Sequence, residues 1–194
     1  MLDALNLNPS KYGLLANCGD KYQSNFGPQS FQTHKPYLVI EIDGQSTHEW
    51  AASKENPAWG PYIVGIAHEE GLKDPSSKQP WGVNQLVLQP KDEFLAAVRA
   101  RWPDELSPSA KHGRMLFLNH CLNCHALDGI TGGNVSTRTV QILSIHAQTN
   151  PAYVRQMIYE PGKSFPEGIK MPAMPHYAEE DVKAVVEFLA AYSN

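Results

Sequence analysis

The chain has 194 residues, enough for one large domain or two small ones. Hydrophobic residues make up 42% of it and charged residues 19%, so it can bury a core and is not disordered by composition. Its 16 basic and 20 acidic side chains give a formal charge of −4, which argues against a nucleic-acid binder, since such proteins carry basic surfaces. No apolar run of about 18 residues is present, so no transmembrane segment is predicted. Three cysteines are too few for a disulfide framework.

The first half of the sequence contains short strand patterns separated by turns. In residues 36–43, Leu38, Ile40 and Ile42 share one face of a predicted strand, which Gly44 ends. Residues 1–104 are predicted to form a small β-rich domain with an irregular segment before residue 30 and a short closing helix. The other predicted elements are strands at 62–67 and 83–89 and a helix at 92–101, which Pro103 ends.

The second half, residues 105–194, has helical periodicity. Ser109 is predicted as the N-cap of a first helix, and Asn150-Pro151 precedes a second one at 152–159. A last helix at 178–192 repeats apolar residues every three or four positions, which indicates a buried stripe. The first helix carries Met115, Leu116, Phe117 and Leu122, and the stripe consists of Val182, Val185, Val186, Leu189 and Ala190.

Residues 121–125 read Cys-Leu-Asn-Cys-His, the CxxCH arrangement of covalent haem attachment. Cys121 and Cys124 lie one helical turn apart, so each thiol can add to one vinyl group of a single porphyrin. His125 is then held beneath the iron and is predicted to be its proximal ligand. The motif therefore predicts one covalent haem c.

Other interpretations of the cysteine pair remain open. A redox dithiol is expected where a strand enters a helix, whereas this pair follows a helical pattern. Structural zinc needs four ligands, but Cys18 is distant, and His112 and His120 match no common finger spacing. A disulfide between Cys121 and Cys124 would close a very small loop and stabilise little.

A second axial ligand for a haem iron is predicted within residues 161–175, a proline- and glycine-rich stretch expected to run extended across the ring. Met171 and Met174 both lie there, each followed by proline. A methionine thioether favours ferrous over ferric iron and so raises the reduction potential. The alternative is that both side chains only fill gaps in the core.

Residues 109–193 resemble a class I c-type cytochrome domain. The resemblance lies in Gly113 and Phe117 before the CxxCH motif, in the Met-Pro pairs, and in the pattern around Phe188. It implies a two-domain protein in which an all-α cytochrome domain follows the β-rich one, with Gly113 letting the first and last helices approach closely beside Phe188.

The resemblance also implies which methionine binds the iron. In this family the ligand stands six residues before an apolar position that leads the last helix, and counting back from Tyr177 gives Met171, with Met174 as the alternative. The family's proline after CxxCH is missing here. A carbonyl near Gly132 to Asn134 is expected to bind the second nitrogen of His125 instead.

Residues 36–89 bear a weaker resemblance to sulfite-oxidase-like, molybdopterin-type domains, through Gly60-Pro61-Tyr62 and Pro80-Trp81-Gly82. In that family a cysteine binds molybdenum, but no cysteine lies between residues 19 and 120. An active molybdenum site is therefore not expected, and this half is predicted to serve as a structural or docking module. Cys18 is read as an ordinary cysteine rather than a lipoprotein cleavage site.

The predicted function is single-electron transfer by a monohaem c-type cytochrome rather than catalysis. The alternative is a haem enzyme or gas sensor whose distal methionine is labile. The expected partner is another redox protein, a dehydrogenase or a terminal oxidase. Since the family's haem is attached outside the cytoplasm, a bacterial periplasmic location is expected, with or without membrane association. Because no signal sequence is visible, Met1 is expected to begin a processed chain.

Overall fold

The computed structural model describes residues 8–26, 36–65, 80–127, 131–164 and 171–193, in which a β-rich N-terminal part precedes a helical C-terminal part. Five of the described strands form one antiparallel sheet, and two short ones form a separate ribbon. The sheet strands are β1 (Tyr12–Cys18), β2 (Gln23–Phe26), β3 (Tyr37–Val39), β6 (Tyr62–Gly65) and β7 (Trp81–Pro90); the ribbon strands are β4 (Glu41–Ile42) and β5 (Gln45–Ser46). The sheet order is β2-β1-β7-β6-β3.

The strands predicted at 62–67 and 83–89 are found as β6 and β7, although residues 66 and 67 lie outside the described residues. The single strand predicted over 36–43 is wrong. It divides at Ile40, whose carbonyl accepts a hydrogen bond from the Thr47 amide at 3.2 Å. Leu38 and Ile40 are 42% and 64% exposed, so their shared periodicity does not mark a buried face.

The segment predicted to be irregular before residue 30 contains β1 and β2, so that prediction is also wrong. Strand β1 lies between β2 and β7 and buries four consecutive residues from Gly13 to Ala16. Because both faces of this central strand are covered, its sequence lacks the polar–apolar alternation of a half-exposed strand. The sheet core includes Leu14, Ala16, Cys18, Phe26, Val64 and Val83.

The described helices are capped by side chains at several of their starts. Ser46 and Glu49 form a reciprocal capping box, with the Glu49 carboxylate accepting from the Ser46 amide at 3.0 Å. The predicted N-cap Ser109 is wrong, since Ser107 accepts from the Ala110 amide at 3.0 Å and Pro108 takes the first helical position. The helices are α1 (Thr47–Ser53), α2 (Lys91–Arg99), α3 (Pro108–Leu116), α4 (Val140–Thr149), α5 (Pro151–Tyr159), α6 (Pro161–Ser164) and α7 (Glu179–Ala190). The predicted helices at 92–101, 152–159 and 178–192 correspond to α2, α5 and α7.

The helical core forms where α3 crosses α7. A Cβ atom on Gly113 would lie 1.9 Å from the Ala184 carbonyl oxygen, so only glycine allows this approach. Phe188 is fully buried beside the crossing, and the Trp102 ring stacks on it at a centroid distance of 4.5 Å. The Trp102 indole donates to the Phe188 carbonyl at 2.8 Å. Trp102 thus fixes the segment after α2 against the helical core, while the domain boundary at 104/105 stays a prediction.

The described parts of residues 105–193 contain helices and one isolated antiparallel bridge between Leu127 and Thr131. That the C-terminal domain is all-α stays a prediction, because residues 128–130 and 165–170 are not among those that the structure describes. Among the described residues, no helix has the length and apolar character needed to span a membrane.

Candidate haem-binding site

The two cysteines of the CxxCH motif lie at the end of a widened helical turn. Helix α3 continues into a π-helical turn, Phe117–Cys121, in which the Leu122 amide donates to the Phe117 carbonyl at 2.9 Å. The amides of Cys124 and His125 both donate to the Cys121 carbonyl, at 3.1 and 3.0 Å. Such turns occur frequently at functional sites. This winding places both thiols and the His125 side chain on the wall of one cavity.

His125 is held through one ring nitrogen, which leaves the other for a metal. Its Nδ1 lies 2.7 Å from the Arg138 carbonyl oxygen, and the residue is only 7% exposed. Burial lowers the pKa of His125; the bond to the Arg138 carbonyl works in the opposite direction, and the positive charge of Arg138 lowers the pKa further. The imidazole is therefore favoured in its neutral, metal-binding form. The carbonyl expected near Gly132 to Asn134 is thus wrong, and the partner lies at Arg138.

The loop after the motif folds back over it and explains this partner. The Gly133 amide donates to the Leu122 carbonyl at 2.8 Å, and the Ser136 amide donates to the Cys124 carbonyl at 3.1 Å. A Cβ atom on Gly133 would lie 1.7 Å from the Asn123 carbonyl oxygen, so a larger residue would push the loop away. With the loop bound along the motif up to Ser136, the first carbonyl that reaches the ring is that of Arg138.

Both candidate methionines line the same cavity as the CxxCH motif. Met171 and Met174 are half-buried against the helical core, and the Met174 amide donates to the Ile158 carbonyl at 2.9 Å. The extended path expected over 161–175 is wrong at its start, where Pro161–Ser164 forms the short helix α6. Residues 165–170 lie outside the described residues, and the choice of Met171 over Met174 stays a prediction.

The cavity fits a haem group. Its volume of about 670 Å³ lies within the range of cofactor sites, and neither Cys121 nor Cys124 is in a disulfide. The Tyr177 hydroxyl is buried in its wall without a partner among the described residues, as expected where a polar group of a cofactor would lie. In the described part of the chain, no three His, Cys, Asp or Glu side chains lie close enough to hold a metal ion by themselves.

Sequence reasoning missed one wall of the cavity. Asp20, Lys21 and Tyr22, from the turn between β1 and β2, line it together with the motif some hundred residues later in the chain. No local pattern predicts this contact. Cys18, at the end of β1, is buried, and burial followed by the nearby Asp20 charge raises its pKa to about 12. A thiol in that state stays protonated at neutral pH, and the interpretation of Cys18 as an ordinary cysteine stays a prediction.

Comparison with known proteins agrees with the geometry of the C-terminal part. Residues 110–193 match the family described as Cytochrome c. The chain is also similar to cytochrome c oxidase subunit 2 of Alkalihalophilus pseudofirmus, with 28% identity over 113 residues, which cover 54% of this chain and 33% of that protein. The match thus spans about a third of the relative's length, and neither comparison shows the sulfite-oxidase-like resemblance. The family match over residues 110–193 thus supports a role of the C-terminal part in haem-based electron transfer.

Proposed function

We propose that this chain is a monohaem c-type cytochrome that passes single electrons between redox partners. Cys121 and Cys124 would attach the haem, His125 would bind the iron on the proximal side, and Met171 would bind it on the distal side. The observation that carries the proposal is the common cavity, which is lined by the Cys121 and Cys124 thiols, the His125 imidazole and two methionine side chains.

The residues around the cavity favour electron transfer over substrate chemistry. When bound, the haem supplies an iron that changes between ferrous and ferric states by one electron. His125 is fixed by the Arg138 carbonyl, so its ring need not reorient between the two states. Met171 would hold the iron through a neutral thioether, which favours the ferrous state, and with His125 also bound the iron would have no position left for a substrate.

The proposed partner is a terminal oxidase or a periplasmic dehydrogenase. The similarity to cytochrome c oxidase subunit 2 supports the first, since that relative is a subunit of a terminal oxidase. We propose that the N-terminal sheet serves in docking or assembly, and that the protein works outside the cytoplasm, where haem c is attached.

A second candidate is a haem enzyme or gas sensor with a labile distal ligand. The observation that favours it is the presence of Met171 and Met174 in the same cavity, three residues apart, which offers the iron two thioethers in place of one. Carbon monoxide separates the two functions. A fixed ligand keeps it from the ferrous iron of the unmodified protein, whereas a labile one admits it.

The distal ligand is tested with two matched variants. Met171→Ala should lower the reduction potential and admit carbon monoxide, because the iron loses its thioether, while Met174→Ala should leave both properties near those of the unmodified protein. The opposite pattern would assign the ligand to Met174. If neither single variant nor the variant that lacks both methionines changes the potential, methionine ligation itself is wrong.

A further inference from the structure

The turn between β1 and β2 is joined to the haem-attachment segment by backbone hydrogen bonds on both sides. The Gln23 amide donates to the Asn123 carbonyl at 3.1 Å, within the CxxCH motif. The Asn134 amide, in the loop after the motif, donates to the Lys21 carbonyl at 2.8 Å. The sheet of the N-terminal part therefore continues, through this turn, into contact with the motif and its following loop.

The Gln23 side chain strengthens this connection. Its Oε1 accepts from the Gly132 amide at 2.8 Å and from the Thr131 hydroxyl at 3.1 Å, and its Nε2 donates to the Asn17 side chain at 2.8 Å. Thr131 is only 6% exposed, so these bonds lie largely away from water. Gln23 thus joins strand β1 to the first residues of the loop that leads to the Arg138 carbonyl.

The tip of the same turn faces the cavity. The Asp20 carboxylate accepts from the Tyr22 amide at 3.0 Å, which fixes the turn, and both residues line the cavity beside Cys124. The electrostatics agree with this proximity. Burial and then the Asp20 charge raise the pKa of Cys124, and burial followed by the Cys124 charge raises the pKa of Tyr22.

We propose that the β1–β2 turn forms one wall of the haem crevice, and that Gln23 and Asp20 act as positioning residues that set the haem's exposure to water and its electrostatic surroundings. The inference rests on the proposed function. It assigns the N-terminal sheet a part in tuning the haem, in addition to any role in docking.

The two residues should act on the reduction potential in opposite directions. Ferric haem carries one more positive charge than ferrous haem, so a nearby carboxylate stabilises the ferric state and lowers the potential. Water that enters the crevice also stabilises the more highly charged ferric state. Removing the Asp20 charge should therefore raise the potential, whereas loosening the wall at Gln23 should lower it.

The charge is tested with Asp20→Asn in the haem-loaded full chain. Asparagine keeps an oxygen that can accept from the Tyr22 amide, so the turn is retained while the charge is lost. The potential should rise, and the rise should shrink as salt is added, because Asp20 is exposed to solvent. Glu41→Gln removes an equally exposed charge from β4, outside the cavity lining, and should leave the potential unchanged.

The wall is tested with Gln23→Ala, by potential and by amide hydrogen exchange. The variant should have a lower potential, and its Gly132 amide should exchange about tenfold faster, because the amide loses its acceptor. Gln85→Ala is the matched control, since Gln85 also bonds the Asn17 side chain in the sheet but does not line the cavity. It should change neither property.

The outcomes separate this inference from the function on which it rests. A full chain without covalent haem would contradict the proposed function. Haem-loaded Asp20→Asn with the potential of the unmodified protein would overturn the charge effect, even if the function stands. If Gln23→Ala has the Gly132 exchange rate and the reduction potential of the unmodified protein, the role of Gln23 in closing this wall of the crevice is wrong.

Discussion

The crossing of α3 and α7 predicts a large effect for Gly113→Ala. The added Cβ would lie 1.9 Å from the Ala184 carbonyl oxygen, and real Cβ contacts essentially never fall under 3.0 Å, so one helix backbone must shift. Overpacking of this kind costs about 1–3 kcal/mol, and the upper part applies because the obstacle is backbone rather than a flexible side chain. The higher helix propensity of alanine offsets about 1 kcal/mol of this cost, which leaves a net loss of about 2 kcal/mol in the free energy of unfolding.

This loss corresponds to a fall in melting temperature of about 4–8 °C for a chain of this size. Urea unfolding followed by circular dichroism would measure the lost free energy of unfolding. Gly162→Ala is the matched control, because a Cβ there meets nothing within 4 Å, and it should be as stable as the unmodified protein. If Gly113→Ala unfolds at the same urea concentration as Gly162→Ala, the close crossing is not as described.

Three further effects are expected in the C-terminal part. Trp102→Phe keeps a ring on Phe188 but removes the indole donor to its carbonyl, so urea unfolding should show a loss of about 1–2 kcal/mol, and an unchanged midpoint would contradict the bond. The bond from His112 lowers the pKa of Asp181. The pair therefore stabilises the fold at pH values above the ordinary pKa of an aspartate. This stabilisation is lost as the pH falls through the lowered pKa of Asp181. His112→Gln should thus be less stable than the unmodified protein by about 0.5 kcal/mol at neutral pH and equally stable in strong acid. If the difference in urea midpoint between the two proteins is the same at both pH values, this pH dependence is wrong. Gly133→Ala should reduce the ratio of haem to protein absorbance, because its Cβ would meet a backbone oxygen of the attachment motif; full haem loading would contradict this.

The local signals in the sequence were sufficient for several elements. Asn150-Pro151 predicts the start of α5, and in the structure Asn150 accepts from the Tyr153 amide at 3.2 Å. The CxxCH spacing identifies three cavity residues because their chemistry depends on neighbours in sequence. The capping box of Ser46 and Glu49 was equally readable, yet the helix that it starts was not predicted.

Features that depend on distant parts of the chain could not be predicted. Strand β1 buries four consecutive residues, so side chains on both of its faces are covered and its own sequence carries no alternation; its partners β2 and β7 in the sheet also come from other parts of the chain. The carbonyl that holds His125 is selected by the path of a loop bound to the motif, and no residue type marks a backbone oxygen. The approach of Asp20 and Gln23 to the cavity arises from the packing of two parts of the chain, which local patterns do not encode.

The intact mass of the protein, produced in a host that attaches haem c, tests the central claim most directly. We expect a red protein that is heavier than its polypeptide by one haem, and the haem should stay bound after denaturation. When Cys121 and Cys124 are both replaced by alanine, the denatured chain should lose the haem. A colourless product with the mass of the polypeptide alone would contradict it.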